Sequence, residues 1–249
     1  MIIFLFIYGF LSTSEKLIFE LIISCKSIRF LMAKALVIGA TGLIGRELVQ
    51  MLINDYHFSE IEIWVRKSSF ITNSKITEKV IDFNSISQIG KIHHDVVFCT
   101  VGTTIKKAGS KENFRAVDYD IPVEAARLAE RSNVTSFIVV SSLGASSSTG
   151  NFYLKTKGEM EDAVKDLVIP SITILRPSVL IGNRVEFRLG EKIAIYLLKL
   201  FGFLMIGGMK KFRGISAANV AKAMIVLSSD EWLGLNIIES DEIERIANL

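Results

Sequence analysis

Tyr153 and Lys157 are four residues apart in the stretch Asn151-Phe152-Tyr153-Leu154-Lys155-Thr156-Lys157-Gly158-Glu159. On a helix that spacing puts both on one face, one turn apart. A free tyrosine holds its proton to a pH near 10, too high for good proton transfer at neutrality. A lysine ammonium nearby favours the phenolate and brings the exchange into range. Ser141 and Ser142 stand a dozen or so residues upstream, after the apolar run Ser136-Phe137-Ile138-Val139-Val140. A hydroxyl at the end of such a strand can hold a carbonyl or stabilise the charge that develops on it. The chemistry these residue types point to is acid–base work at a carbonyl. A tyrosine and lysine on an exposed helix would be unremarkable alone, so what they can do depends on what positions them.

The positioning begins at residues 33–47. The apolar run Ala35-Leu36-Val37-Ile38 ends in Gly39-Ala40-Thr41-Gly42-Leu43-Ile44-Gly45, and a pattern of helical period follows through Leu48, Val49, Met51 and Leu52. Strand, glycine turn and helix form the arrangement that takes a dinucleotide pyrophosphate. Gly39 permits the tight turn, Gly42 lets backbone approach phosphate, and Gly45 lets the helix pack on the strand. The helix then offers unpaired N–H groups and the positive end of its dipole. The spacing is GxxGxxG, and glycines also serve ordinary turns. Position strengthens the reading, since the turn follows the first credible strand and opens the first credible helix.

A second strand, residues 61–65, ends in Arg66-Lys67. The end of this strand faces the adenosine ribose in a dinucleotide fold, where a carboxylate suits a free 2′-hydroxyl and a basic pair suits a 2′-phosphate. Glu62 lies inside the strand, too early for that contact, so NADPH is expected and NAD is the poorer fit. Residues 79–83 read as a third strand, with Asp82 near the adenine. Residues 96–100 form a fourth, buried on both faces, leading into Val101-Gly102-Thr103-Thr104 where the ribose and nicotinamide side of a cofactor would lie. Residues 114–131 read as a helix that Pro122 kinks or restarts near Asp120. Residues 136–140 and 172–175 are the fifth and sixth strands, residues 217–227 a closing helix, and residues 236–239 a last short strand. The fold class is α/β: a doubly wound, mostly parallel sheet with helices on both faces and a small C-terminal substrate region.

Taken together, these segments resemble the short-chain dehydrogenase/reductase family. The likeness narrows through Phe98-Cys99-Thr100-Val101-Gly102-Thr103-Thr104, Lys107-Ala108-Gly109, Ser141-Ser142-Leu143-Gly144-Ala145 and Arg176-Pro177-Ser178-Val179-Leu180 to the atypical branch of Tat-interacting-protein-like oxidoreductases. It covers residues 34–223. The resemblance implies NADPH as cofactor, with phosphate contacts at Thr41, Gly42, Leu43 and Ile44 and 2′-phosphate contacts at Arg66 and Lys67. It places further cofactor contacts at Val101, Gly102, Tyr153, Lys157, Leu180 and Arg188, and makes Tyr153 the proton donor and acceptor. Leu43 departs from the polar or acidic residue of animal members, a change that backbone contacts should survive. Only one of Ser141 and Ser142 can face the site; Ser142 is the one taken.

The whole chain bounds these readings. Its 249 residues, 50% apolar and 22% charged, suffice for one sizeable α/β domain, taken as residues 32–249. A net charge of +3, with no basic run interleaved with aromatics, argues against nucleic acid as partner. Cys25 and Cys99 make no metal or redox pattern, and His57, His93 and His94 form no ligand set, so no metal is expected. A reducing, cytoplasmic setting is the simple inference. Residues 1–31 hold two apolar runs, 2–11 and 17–25, separated by 12–16. Neither reaches the roughly 20 residues that span a bilayer, and a signal peptide's positive start and cleavage site are missing. They read as an upstream extension with Met32 as the true start, as an interfacial anchor, or as a helix packed on the domain; the first is preferred. Residues 193–206 are the most apolar of the domain and read as a pocket lid or dimer face, with a membrane-surface role less favoured. The partner expected is a small carbonyl compound, and the state a monomer or homodimer. The alternatives are an NADPH-binding regulator without turnover and a nucleotide-sugar epimerase, which Arg66-Lys67 weakens.

Overall fold

Strand β1 (Ala33–Ile38) is apolar at five of six positions, with Ala35 to Ile38 fully buried. A strand buried on both faces belongs in a parallel sheet covered by helices on either side. The computed structural model, which describes residues 32–69, 71–181, 213–229 and 232–249, shows that sheet. Its other strands are β2 (Phe58–Val65), β3 (Ile76–Val80), β4 (Val96–Cys99), β5 (Ser136–Val140), β6 (Ser171–Arg176) and β9 (Gly234–Glu239). Their order is β3-β2-β1-β4-β5-β6-β9, and every pairing is parallel. The order reverses between β1 and β4, which opens a crevice at the carboxyl edge of the sheet.

Helix α1 (Leu43–Asn54) buries Ile44, Leu48, Val49 and Leu52, spaced to make one apolar stripe. It packs with α6 (Ala217–Leu227) and α7 (Ser240–Ile246) on one face of the sheet. The opposite face is covered by α4 (Ile121–Arg131) and α5 (Phe152–Lys165). Between β4 and α4 lie two short helices, α2 (Ile105–Ala108) and α3 (Lys111–Arg115), and a π-helical turn at Ala116–Asp120. The expected disturbance at Pro122 is this turn. Proline has no N–H to return to the carbonyl of Asp118, and the Ile121 amide bonds back to Ala116, five residues earlier. A two-stranded sheet, β7 (Leu180–Ile181) with β8 (Ile215–Ser216), stands apart from the main one.

The third strand is displaced from its expected place at residues 79–83. It is β3, paired with Ile61 through Val65, and it stops at Val80 because the Asp82 side chain caps a 3-10 turn by accepting from the Asn84 amide. Asp82 is therefore part of a turn. The last strand begins two residues earlier than expected. The apolar stretch 193–206, the N-terminal segment 1–31 and Arg188 lie outside the described residues. Among the described residues, no helix is long and apolar enough to cross a membrane.

Candidate nucleotide and catalytic site

The glycine turn is built by close approach. Gly39 has φ +95°, and a Cβ on it would lie 2.8 Å from both Thr100 Oγ1 and the Val101 nitrogen. A Cβ on Gly45 would lie 2.1 Å from the Gly39 carbonyl oxygen, so the first turn of α1 rests directly on the backbone leaving β1. The Thr100 hydroxyl, bonded to the carbonyls of Ile38 and Gly39 at 3.2 and 3.1 Å, ties this turn to the end of β4. Gly42 is the N-cap of α1 and supplies no side-chain cap. The first amides of the helix, at Leu43 and Ile44, thus head the helix with no capping side chain beside them. Thr41 is exposed beside them, as an anion-binding turn requires.

Arg66 and Lys67 follow β2 directly and are exposed. Glu62 is engaged elsewhere: it accepts from Trp64 Nε1 at 2.6 Å and pairs with Lys79 at 2.9 Å. Val101 and Gly102 follow β4, with Val101 half-buried and Gly102 exposed. Leu180 lies half-buried in β7. These residues occupy the carboxyl edge or the small sheet beyond it.

Tyr153 and Lys157 lie in the first half of α5. Asn151 caps the helix by accepting from the Leu154 amide at 3.1 Å, which sets where the first turn begins. The Tyr153 ring is half-buried against Phe114, centroids 5.6 Å apart. Lys157 is 3% exposed. Its ammonium lies 2.8 Å from Asp118 Oδ1 and donates to the Val140 carbonyl at 3.4 Å. Burial is the largest single influence on Lys157 and opposes its charge, but the negative neighbours, Asp118 foremost, outweigh it and hold the lysine above its ordinary range. Asp118 is 1% exposed and its other oxygen accepts from the Thr103 amide at 2.8 Å.

The two serines at the end of β5 differ sharply. Ser141 is buried and donates to Glu161 Oε1 at 2.6 Å; Ser142 is half-buried, its hydroxyl only 3.5 Å from the adjacent Leu143 carbonyl. Glu161 is itself gripped by Arg176 through Nε at 2.9 Å and through Nη2. Asp118 and Glu161 were absent from the residues singled out in the sequence. The signal available for each was a carboxylate set among apolar helix positions. Cys99 is fully buried at the end of β4, and burial pushes its thiol up to about 11, which suits a core residue. Among the described residues no group of three or more His, Cys, Asp or Glu is placed to hold a metal.

A family model described as NAD(P)H-binding matches residues 39–196. The chain belongs to this NAD(P)H-binding family. Within it, the chain is 31% identical over 227 residues to the Candida albicans protein named "Protein FMP52, mitochondrial", covering 85% of this chain and 97% of the relative. It is 35% identical over 173 residues to HTATIP2 of Rattus norvegicus, covering 68% and 70%. Among solved structures, the human epimerase family protein SDR39U1 with NADPH superposes with TM-score 0.55 at 15% identity, covering 83% of this chain and 73% of that one. MoeE5 in complex with UDP-glucose and NAD gives TM-score 0.61 at 15% identity, covering 86% and 80%. At such identity these two speak for the fold alone. The chain is a Rossmann-fold NAD(P)H-binding protein related to FMP52 and HTATIP2, in keeping with its resemblance to the atypical short-chain dehydrogenase/reductases. The cytoplasmic setting inferred from the cysteines is overturned. Relatives from Candida albicans, Debaryomyces hansenii and Meyerozyma guilliermondii carry "mitochondrial" in their names. A reduced thiol does not distinguish the two compartments.

Proposed function

We propose that the protein is an NADPH-dependent reductase of a carbonyl compound, working in the mitochondrion as its relatives' names suggest. The observation that carries the reading is the meeting, on one sheet edge, of an uncapped helix N-terminus behind a glycine turn with the Tyr153–Lys157 face of α5. The dinucleotide fits the residues present: Gly42 heads α1 with no side-chain cap over the first amides, and Arg66 and Lys67 are exposed where a 2′-phosphate would fall. When bound, the nicotinamide supplies hydride to the carbonyl carbon. Tyr153 gives its phenolic proton to the carbonyl oxygen. Lys157 presents a fixed positive charge one helical turn away, favouring the phenolate left behind. Ser142 orients the carbonyl, since Ser141 is turned toward Glu161. Arg66 and Lys67 select NADPH over NADH.

Calorimetric titration with NADPH and NADH, followed by turnover on a panel of aldehydes, ketones and quinones, tests this. Tyr153→Phe should keep NADPH affinity and lose at least about a hundredfold in turnover. Unchanged turnover would remove Tyr153 from the mechanism. The epimerase reading draws only on neighbours of shared fold such as MoeE5; tighter binding of NADH than of NADPH would favour it.

A further inference from the structure

Lys157 sits where a charge is costly. It is 3% exposed, and among the described residues its ammonium has two polar partners, the Asp118 carboxylate at 2.8 Å and the Val140 carbonyl at 3.4 Å. The charged or titratable groups around it are Asp118 on the π-helical turn, Tyr153 on its own helix and Cys99 at the end of β4. Of these, Asp118 alone is a carboxylate. Its own placement is fixed twice. Asp118 is the buried residue of the π-helical turn, and the Thr103 amide holds the second carboxylate oxygen at 2.8 Å. Gly102, next to that amide, has Asp118 Oδ1 3.5 Å from where its Cβ would be, so the carboxylate lies directly beneath the turn leaving β4.

We propose that Asp118 is the positioning residue that keeps buried Lys157 an ammonium and fixes it between the end of β5 and the turn leaving β4. The role assigned to Lys157 in turnover rests on the reductase reading; the ion pair does not. Without Asp118, the lysine faces one long carbonyl contact in a buried site, and burial favours its neutral form. Asp118 therefore makes the catalytic charge permanent through the neutral range, rather than leaving it to come and go with pH.

Lysine side-chain nitrogen NMR on the full chain reads this directly, with the Lys157 signal assigned by its loss in Lys157→Met. In the wild type the ammonium should persist above the ordinary range of a lysine. In Asp118→Asn it should lose its proton at least about one unit lower, and Asp118→Glu should restore most of the difference. Coincident titrations of wild type and Asp118→Asn overturn the proposal. Stability adds a second reading. A lysine held above its unfolded value contributes stability that is present below that value and lost as pH rises through the folded one. A lysine pushed below its unfolded value makes the folded state gain stability as pH rises between the two. Melting temperature should thus rise from pH 7 to 10 in Asp118→Asn but not in the wild type. If Asp118→Asn folds poorly, Asp118→Asn/Lys157→Met should melt higher than Asp118→Asn; simple additivity of the two losses counts against the pair. The two claims fail separately. A lowered Lys157 titration in Asp118→Asn, with no carbonyl reduced by the wild type, sinks the reductase and spares the pair. Carbonyl turnover with coincident titrations does the reverse.

Discussion

At the turn after β1, the working feature is a set of missing atoms. Gly39 and Gly45 leave no room for a Cβ, and α1 starts without a side-chain cap. Along α5, the working features are charged side chains held in pairs: buried Lys157 with buried Asp118, and buried Glu161 with half-buried Arg176. Both regions face the same sheet edge. The first is made of backbone; the second is held by electrostatics, with Asp118 placed by the π-helical turn and the Thr103 amide. A phosphate needs close, fixed N–H groups, which only a bare backbone offers. A proton transfer needs a set charge state, which only a partner carboxylate can secure in a buried place.

The contrast predicts different kinds of damage. The largest effect should come from Gly45→Val. Its new side chain would begin 2.1 Å from the Gly39 carbonyl, so α1 must move off β1. A loss of about 3 kcal/mol or more is expected, as for overpacking at the upper end, with NADPH binding abolished. A folded Gly45→Val that still binds NADPH by calorimetry would show that the turn is not the phosphate site.

Next comes Glu161→Gln. The carboxylate is fully buried and joins Ser141 to Arg176, so removing its charge strands the half-buried guanidinium. Breaking one partner of such a pair should cost about 2–4 kcal/mol by thermal or denaturant unfolding. A glutamine can still accept from Ser141 but offers Arg176 one oxygen in place of two, so the ends of β5 and β6 loosen beside Ser142. NADPH affinity should stay within about twofold, since the phosphate turn is made of backbone elsewhere. A parallel loss of affinity would mean the two regions are one unit.

The two regions were also unequally legible in the sequence. Glycine spacing after an apolar run declares a strand-turn-helix locally, and the central strands and α6 followed from short apolar patterns. Tyr153 and Lys157 declared themselves by a local four-residue spacing. Their partners did not, because Asp118 is 39 residues from Lys157 and Glu161 is 15 from Arg176. Pairing across such separations is decided by which helix face meets which strand end. Asp118 lies buried on a π-helical turn, and Pro122 marked a disturbance there without revealing which residue faces inward. The third strand was misplaced because Val80 to Phe83 carry apolar residues that serve the strand end and a turn alike.

The smallest effect falls at the edge of the backbone-built region, where charge does enter. Arg66 is exposed at the end of β2, and Glu62, the nearest carboxylate in the strand, is occupied by Trp64 and Lys79. Arg66→Ala should leave folding untouched and weaken NADPH by about tenfold, in the range of a charge-assisted contact to phosphate. NADH, which has no 2′-phosphate, should bind the variant and the wild type alike. Raising salt should narrow the NADPH difference, because an exposed contact is screened. Equal weakening of both nucleotides would place Arg66 on the shared pyrophosphate, and then Lys67 alone would remain at the end of β2 to tell the two cofactors apart.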